Sequence, residues 1–233
     1  MTAGRDARAS AGEVAEALGD VAALDGFFVL RTGVAEDGPT APGRGGRLTA
    51  ECFTGLARQV TDRYATDEAR IGVSIAHLGL AARLWSPVLA CTLIHGIVPD
   101  LSTLEWIDGG PAVRLAHPAG RRVAQVPRLA DAVYEEVIAA LAAVESDLGV
   151  KVAPRLLDGN IASALVGSAA VLLRARPDLR TALTALTTEL LGRGRLVGTG
   201  RITGPALTFR RRSCCLYYRT PGGGKCGDCC LND

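Results

Sequence analysis

Aromatic rings are scarce in this chain, net charge is nearly absent, and cysteine hardly occurs before the last twenty residues. Aromatic residues make up 4% of the sequence, too few for the stacked rings on which single-stranded nucleic acid is held. The 26 basic residues are nearly matched by 24 acidic ones, which argues against a partner gripped through many phosphates. Nucleic acid is therefore excluded as a partner. No apolar run reaches the roughly 20 residues that a membrane span needs. The longest charge-free helical stretch is Gly159 to Leu173, and the run from Leu84 to Val98 is interrupted by Pro87 and His95. Met1 to Ser10 is polar and lacks the apolar segment of a secretory signal. A cytoplasmic protein with no transmembrane segment is expected. No G-x-S-x-G, H-E-x-x-H or Walker sequence occurs, and Gly198-Thr199-Gly200-Arg201 lacks the G-x-G-x-x-G spacing of a dinucleotide site.

What is present is helical patterning. Apolar residues at 48% place the chain among globular proteins. Ser10 and Glu13 form a capping box for a first helix to about Leu24, and Phe27 to Leu30 is either a short strand or an inward-packing end of that helix. Residues 1–10 and 35–47 read as flexible. A helix is expected from about Thr49 to Arg63, and another opening at Thr66 with Asp67 and Glu68 near its positive end. Ile71, Ile75, Leu78 and Ala82 form its core stripe. Pro87 should kink or break it before the chain continues helically to His95-Gly96. Pro111 to Ala124 alternates weakly, so a β-hairpin is expected. Pro127 opens a long helix, with Leu129, Val133, Val137, Leu141 and Val144 on one face and Gly149 as its stop. The small residues Ala162, Ser163, Ala164, Gly167 and Ser168 suit close helix packing, and a last helix runs from Pro177 to Gly192. The expected fold class is mainly α with a small β component (α+β): a helical body over 1–195 closed by a cysteine-rich module over 196–233.

Five of the seven cysteines lie between Cys214 and Cys230, preceded only by Cys52 and Cys91. In a reducing compartment such a cluster, odd in total number, points to metal ligation rather than disulfides. Thiolates select zinc, copper(I) or iron–sulfur clusters, and four of them hold either one zinc ion or a 2Fe–2S cluster. Cys214 and Cys215 are adjacent, with Cα atoms about 3.8 Å apart, and neighbouring side chains of an extended segment point to opposite sides. Aiming both at one ion strains the backbone more than aiming both at a two-iron cluster. That favours iron–sulfur and leaves zinc, or reduced thiols without a metal, open. The spacer Pro221-Gly222-Gly223-Gly224 permits a tight turn, and its amides and that of Gly227 are candidate donors to sulfur.

The run Arg211-Arg212-Ser213-Cys214-Cys215-Leu216-Tyr217-Tyr218-Arg219, followed by Cys226-Gly227-Asp228-Cys229, resembles the C-terminal signature of the FhuF-like ferric-siderophore reductases, Cys-Cys-x10-Cys-x2-Cys. Upstream, the segments 82–87, 95–101 and 159–164 are also similar to that family, so the likeness spans residues 65 to 233. It implies a 2Fe–2S cluster on Cys214, Cys215, Cys226 and Cys229 and one-electron reduction of iron(III) in hydroxamate siderophores in the cytoplasm. A ferric siderophore and an electron donor, a ferredoxin or a flavoprotein reductase, would be the partners. Cys230 stands where the family more often has proline, and is either a substitute ligand or a free thiol.

Arg83, Trp85, His95, Asn160, Arg211 and Arg212 are the candidate substrate contacts, with the Trp85 ring covering the ligand's apolar backbone. The Arg210–Arg212 run is either a solvated face or positive charge that raises the cluster's potential and attracts an acidic donor. Cys91 and His95 share an i, i+4 spacing but no third ligand is near. They read as a core thiol and a hydrogen-bonded histidine, as do Cys52 and His77, while His117 reads as exposed. An iron–sulfur relay or sensor without siderophore turnover, and a zinc-stabilised binding protein, are the competing classes.

Overall fold

The structure, a computed structural model, describes residues 8–24, 26–33, 45–107 and 111–232. Among them are six α-helices: α1 (Ala11–Ala22), α2 (Ala50–Arg63), α3 (Ala69–Ala90), α4 (Leu129–Glu145), α5 (Pro154–Ala175) and α6 (Arg180–Leu191). The strands are short: β1 (Arg8–Ala9), β2 (Arg31–Thr32), β3 (Gly45–Arg47), β4 (Ile97–Pro99), β5 (Leu104–Ile107), β6 (Val113–Leu115), β7 (Gly120–Arg122), β8 (Gly200–Ile202) and β9 (Phe209–Arg211). The protein is thus mainly α with a small β component. Of the segments expected to be flexible, residues 1–7 and 35–44 lie outside the described residues, whereas β1 and β3 are paired strands, which corrects that expectation at 8–9 and 45–47. The chain gathers into two compact units of interleaved segments, Met1–Thr49 with Arg83–Ala143, and Ala50–Ala82 with Val144–Asp233.

In the first unit, α1 opens with the expected box: the Glu13 amide donates to Ser10 Oγ at 3.3 Å and the Ser10 amide to Glu13 Oε2 at 2.9 Å. Its Val14, Leu18 and Val21 are buried, the three-to-four spacing of one helix face. Phe27 and Phe28 form a 3-10 turn ahead of β2. Two small sheets complete the unit, in the orders β1-β7-β4 and β2-β6-β5-β3. No hairpin forms over 111–124, because β6 and β7 belong to different sheets. The reason lies at Gly120, where a Cβ would stand 2.9 Å from the Val98 carbonyl oxygen. Only a residue without a side chain lets β7 sit between β1 and β4.

Pro87 does not break α3 but lies inside it. Proline cannot donate the i→i−4 bond, and downstream the helix widens into a π turn over Cys91–His95, closed by Gly96 at φ +65°. Such widening is a common way to absorb an irregular bond ladder.

The second unit packs α2, the first part of α3, α5, α6 and the β8–β9 hairpin around buried Ile71, Ile161, Leu165, Val166, Leu172, Leu183 and Leu190. Helices α2 and α3 meet at Gly72, where a Cβ would lie 2.5 Å from the Ala57 carbonyl oxygen. His77, wholly buried, is hydrogen-bonded through Nε2 to Glu145 at 2.8 Å, and Arg195 ties Glu145 to Asp158. Burial pushes the Glu145 carboxyl up, but the bonds from His77 and Arg195 outweigh it and hold the group below its ordinary value.

Two helical stretches, Ala69–His95 and Pro154–Ala175, are long and apolar enough to cross a membrane. The second exceeds the charge-free run read from the sequence because its ends carry Arg155, Asp158 and Arg174. Their apolar windows are 67% and 72% buried within the protein, the pattern of core helices.

Candidate metal centre

The cysteine loop begins where β9 ends. Cys215 and Cys229 are buried, while Cys214, Cys226 and Cys230 are partly exposed. The Sγ atoms of Cys215 and Cys226 lie 3.6 Å apart, which brings the two halves of the motif together. Two backbone amides point at sulfur: Leu216 donates to Cys214 Sγ at 3.3 Å and Leu231 to Cys229 Sγ at 3.4 Å. These donors differ from the glycine amides expected of the spacer. The Gly223 amide is taken instead by the Thr220 carbonyl oxygen at 2.8 Å, closing a turn with Pro221 and with Gly222 at φ +73°, the arrangement a type II turn requires. Leu216 holds φ +68°, a left-handed conformation that costs a branched residue about 1 kcal/mol or more. That turn aims its amide back at Cys214. Among the described residues, no three His, Cys, Asp or Glu side chains stand close enough to hold a single metal ion.

The loop is seated on α3 and α5 by buried polar bonds. Ser74 Oγ donates to the Cys215 carbonyl oxygen at 2.8 Å. Asn160 donates through Nδ2 to the Ser74 carbonyl oxygen at 2.9 Å and accepts from Arg211 Nη2 at 2.6 Å. Ser163 donates to the Asp228 carboxylate, and the Asp228 carbonyl oxygen accepts the Arg211 amide at 3.0 Å. These bonds tie the loop to the two helices in one register, and they leave Arg211 Nε and Nη1 and Ser213 Oγ buried without a hydrogen-bond partner. Its tightest point is Gly159, where a Cβ would stand 2.0 Å from Ser213 Oγ and 3.1 Å from Arg211 Nη2.

Burial, then the neighbouring Cys215 and Asp228, pushes the Cys226 thiol up. Burial, with Cys214 and Cys229, does the same at Cys230, opposed by Arg211. Thiols gathered this closely ionise reluctantly unless a cation takes up their charge. The donor set and the amides aimed at sulfur fit an iron–sulfur group held by thiolates.

Residues 211–231 match the family model of the FhuF 2Fe-2S C-terminal domain. This cysteine loop is similar to a FhuF-type 2Fe–2S domain. The match takes in Arg211 and all five clustered cysteines, and it points to a 2Fe–2S cluster as the cofactor. No curated protein matches the chain.

Of the substrate contacts expected from the sequence, Arg83, Trp85 and His95 belong to the first unit, and Asn160, Arg211 and Arg212 to the second. Trp85 is wholly buried in the first unit and presents no face to a ligand. Arg83, in the same unit, lies 4.8 Å over the Phe27 ring, and burial lowers its pKa. His95 keeps partial exposure, with Nε2 3.8 Å from Asp20. Asn160 and Arg211 are 0% and 1% exposed, so they support the FhuF-type loop from within rather than meet a substrate. Arg212 is exposed. Cys91 is buried and its thiol is pushed up to about 12, which fits an inert core thiol. His117 is exposed as expected, whereas Cys52 is only partly covered. Ser74 carries no motif of its own and was invisible in the sequence, since its role depends on a partner 141 residues away.

Proposed function

We propose that this protein is a ferric-siderophore reductase, an oxidoreductase that delivers one electron to iron(III) in a siderophore, of hydroxamate type, and releases iron(II) in the cytoplasm. The observation that carries this reading is the match to the FhuF 2Fe-2S C-terminal domain at 211–231, in a loop seated on a buried polar network. When bound, the cluster supplies a one-electron donor of tunable potential. Hydroxamate oxygens are hard ligands that hold iron(III) far more tightly than iron(II), so one electron suffices to loosen the substrate metal. No general acid or nucleophile is needed, in keeping with a sequence that carries no such constellation.

Cys214, Cys215, Cys226 and Cys229 are the proposed cluster ligands, with 196–233 as the cluster-carrying module. Ser74, Asn160, Ser163 and Arg211 hold the loop in register and keep water from its inner face. Among the expected substrate contacts, Arg83, His95 and Arg212 retain exposed atoms and remain proposed contacts. The electron comes from a ferredoxin or a flavoprotein reductase.

The test is an anaerobic spectrum of the purified protein with iron and acid-labile sulfide counted, followed by iron(II) capture on a chromogenic chelator with a ferric hydroxamate and a reductant present. Visible absorption bands, sulfide and captured iron(II) are expected. Colourless protein holding zinc would overturn the reading, and an intact cluster that releases no iron(II) would reassign the protein to electron relay or sensing.

A further inference from the structure

The three arginines before the FhuF-type loop differ in environment. Arg212 is exposed and Arg210 partly so, whereas Arg211, the inward residue of β9, is 1% exposed. Its Nη2 donates to the neutral amide of Asn160, and Nε and Nη1 are buried with no hydrogen-bond partner. No carboxylate pairs with it among the described residues. The nearby Asp228 gives its carboxylate to Ser163 and offers Arg211 only a main-chain oxygen. A guanidinium remains charged in any protein environment, and a buried charge without a counter-ion is strongly disfavoured. The fold therefore holds a cation in place, locked between Asn160 and Gly159, with no carboxylate paired to it among the described residues.

We propose that Arg211 is the internal counter-ion of the 2Fe–2S cluster, a positioning residue whose fixed charge holds the reduction potential up. The inference rests on the cofactor assignment and is independent of siderophore turnover. A two-iron cluster on four thiolates is a dianion when oxidised and a trianion when reduced, so a buried cation stabilises the reduced form more. Burial amplifies the effect, because charge interacts more strongly where water is excluded. The solvated Arg212 is screened and contributes less.

Potentiometric titration of the reconstituted full chain, followed by its visible and electron paramagnetic resonance spectra, tests this in Arg211→Met, Arg211→Lys and Arg212→Met. Arg211→Met should lower the equilibrium constant for one-electron reduction at least tenfold, a shift of about 59 mV. Arg211→Lys should keep the potential within that limit, and Arg212→Met should move it by less than half as much. If Arg211→Met does not load its cluster while Arg211→Lys does, the requirement for charge is supported. Failure of both to load would make the fork's shape the essential feature and overturn the counter-ion role. So would a loaded Arg211→Met at the wild-type potential, or an equal shift in Arg212→Met. Wild-type protein without a two-iron spectrum would overturn the cofactor assignment as well, whereas an intact spectrum with an unmoved potential removes Arg211 alone.

Discussion

Gly159 of α5 lies against Ser213, the residue before the first clustered cysteine, so closely that a Cβ on the glycine would stand 2.0 Å from the seryl oxygen. The seryl hydroxyl can rotate away, but Arg211 Nη2 at 3.1 Å is held by Asn160. Gly159→Ala should therefore be tolerated with a small loss of stability. Gly159→Val should push the loop off α5, cost about 1–3 kcal/mol as overpacking does, and reduce iron bound per chain. Thermal unfolding and iron analysis of the two variants check this graded effect.

Gly72 makes the sharper contrast. Its virtual Cβ meets the Ala57 backbone oxygen at 2.5 Å, and a helix backbone cannot swing aside as a hydroxyl can. Gly72→Ala is expected to destabilise the protein more than Gly159→Ala, by at least 1 kcal/mol, in a denaturant titration.

Removing the Ser74 hydroxyl should be felt at the cysteine loop. Ser74→Ala leaves the Cys215 carbonyl oxygen without its buried donor, a loss of about 1–3 kcal/mol. A lower melting temperature and faster labelling of Cys215 by a thiol reagent in metal-free protein are the expected outcomes.

The five clustered thiols should divide four to one. Serine at Cys214, Cys215, Cys226 or Cys229 is expected to abolish stoichiometric iron and sulfide binding, because each substitution removes a ligand. Serine at Cys230 is expected to leave both intact. Iron bound to Cys230→Ser at less than half the wild-type amount would make that residue a ligand.

Stability below neutral pH should depend on the cap of α1. The Ser10 amide and then Arg122 hold the Glu13 carboxyl down to about 2 from an ordinary 4.5. A pKa lowered by folding means stabilisation present above the unfolded value and lost as the pH falls through the folded one. Stability from this group should therefore be complete above about pH 4.5 and fade toward about pH 2. Glu13→Gln should flatten that slope in acid unfolding curves without altering cluster binding.

Local pattern was sufficient for the helices with explicit signals. The Ser10/Glu13 box and Gly192 at the end of α6 each act on their own turn of chain. The cysteine spacing likewise marked a metal site, because ligand number and spacing are properties of one short segment, but it left zinc open, and the 2Fe–2S cluster was implied by the resemblance to the FhuF-like family. The separation of β6 from β7 could not be read locally, since it depends on Gly120 fitting between β1 and β4. Pro87 likewise disrupts an isolated helix but is accommodated here by a π turn in a packed one.

Chain order alone determined that thiolates would gather near the carboxyl end and that helices would dominate, because cap, turn and ligand spacing are short-range properties. Tertiary packing alone decided that Arg211 is interior while Arg212 meets solvent, and that Asn160 and Ser74, 86 residues apart, share a hydrogen bond beneath the cysteine loop. Burial is set by what a distant segment lays over a residue, and three consecutive arginines carry no mark of which one will be covered.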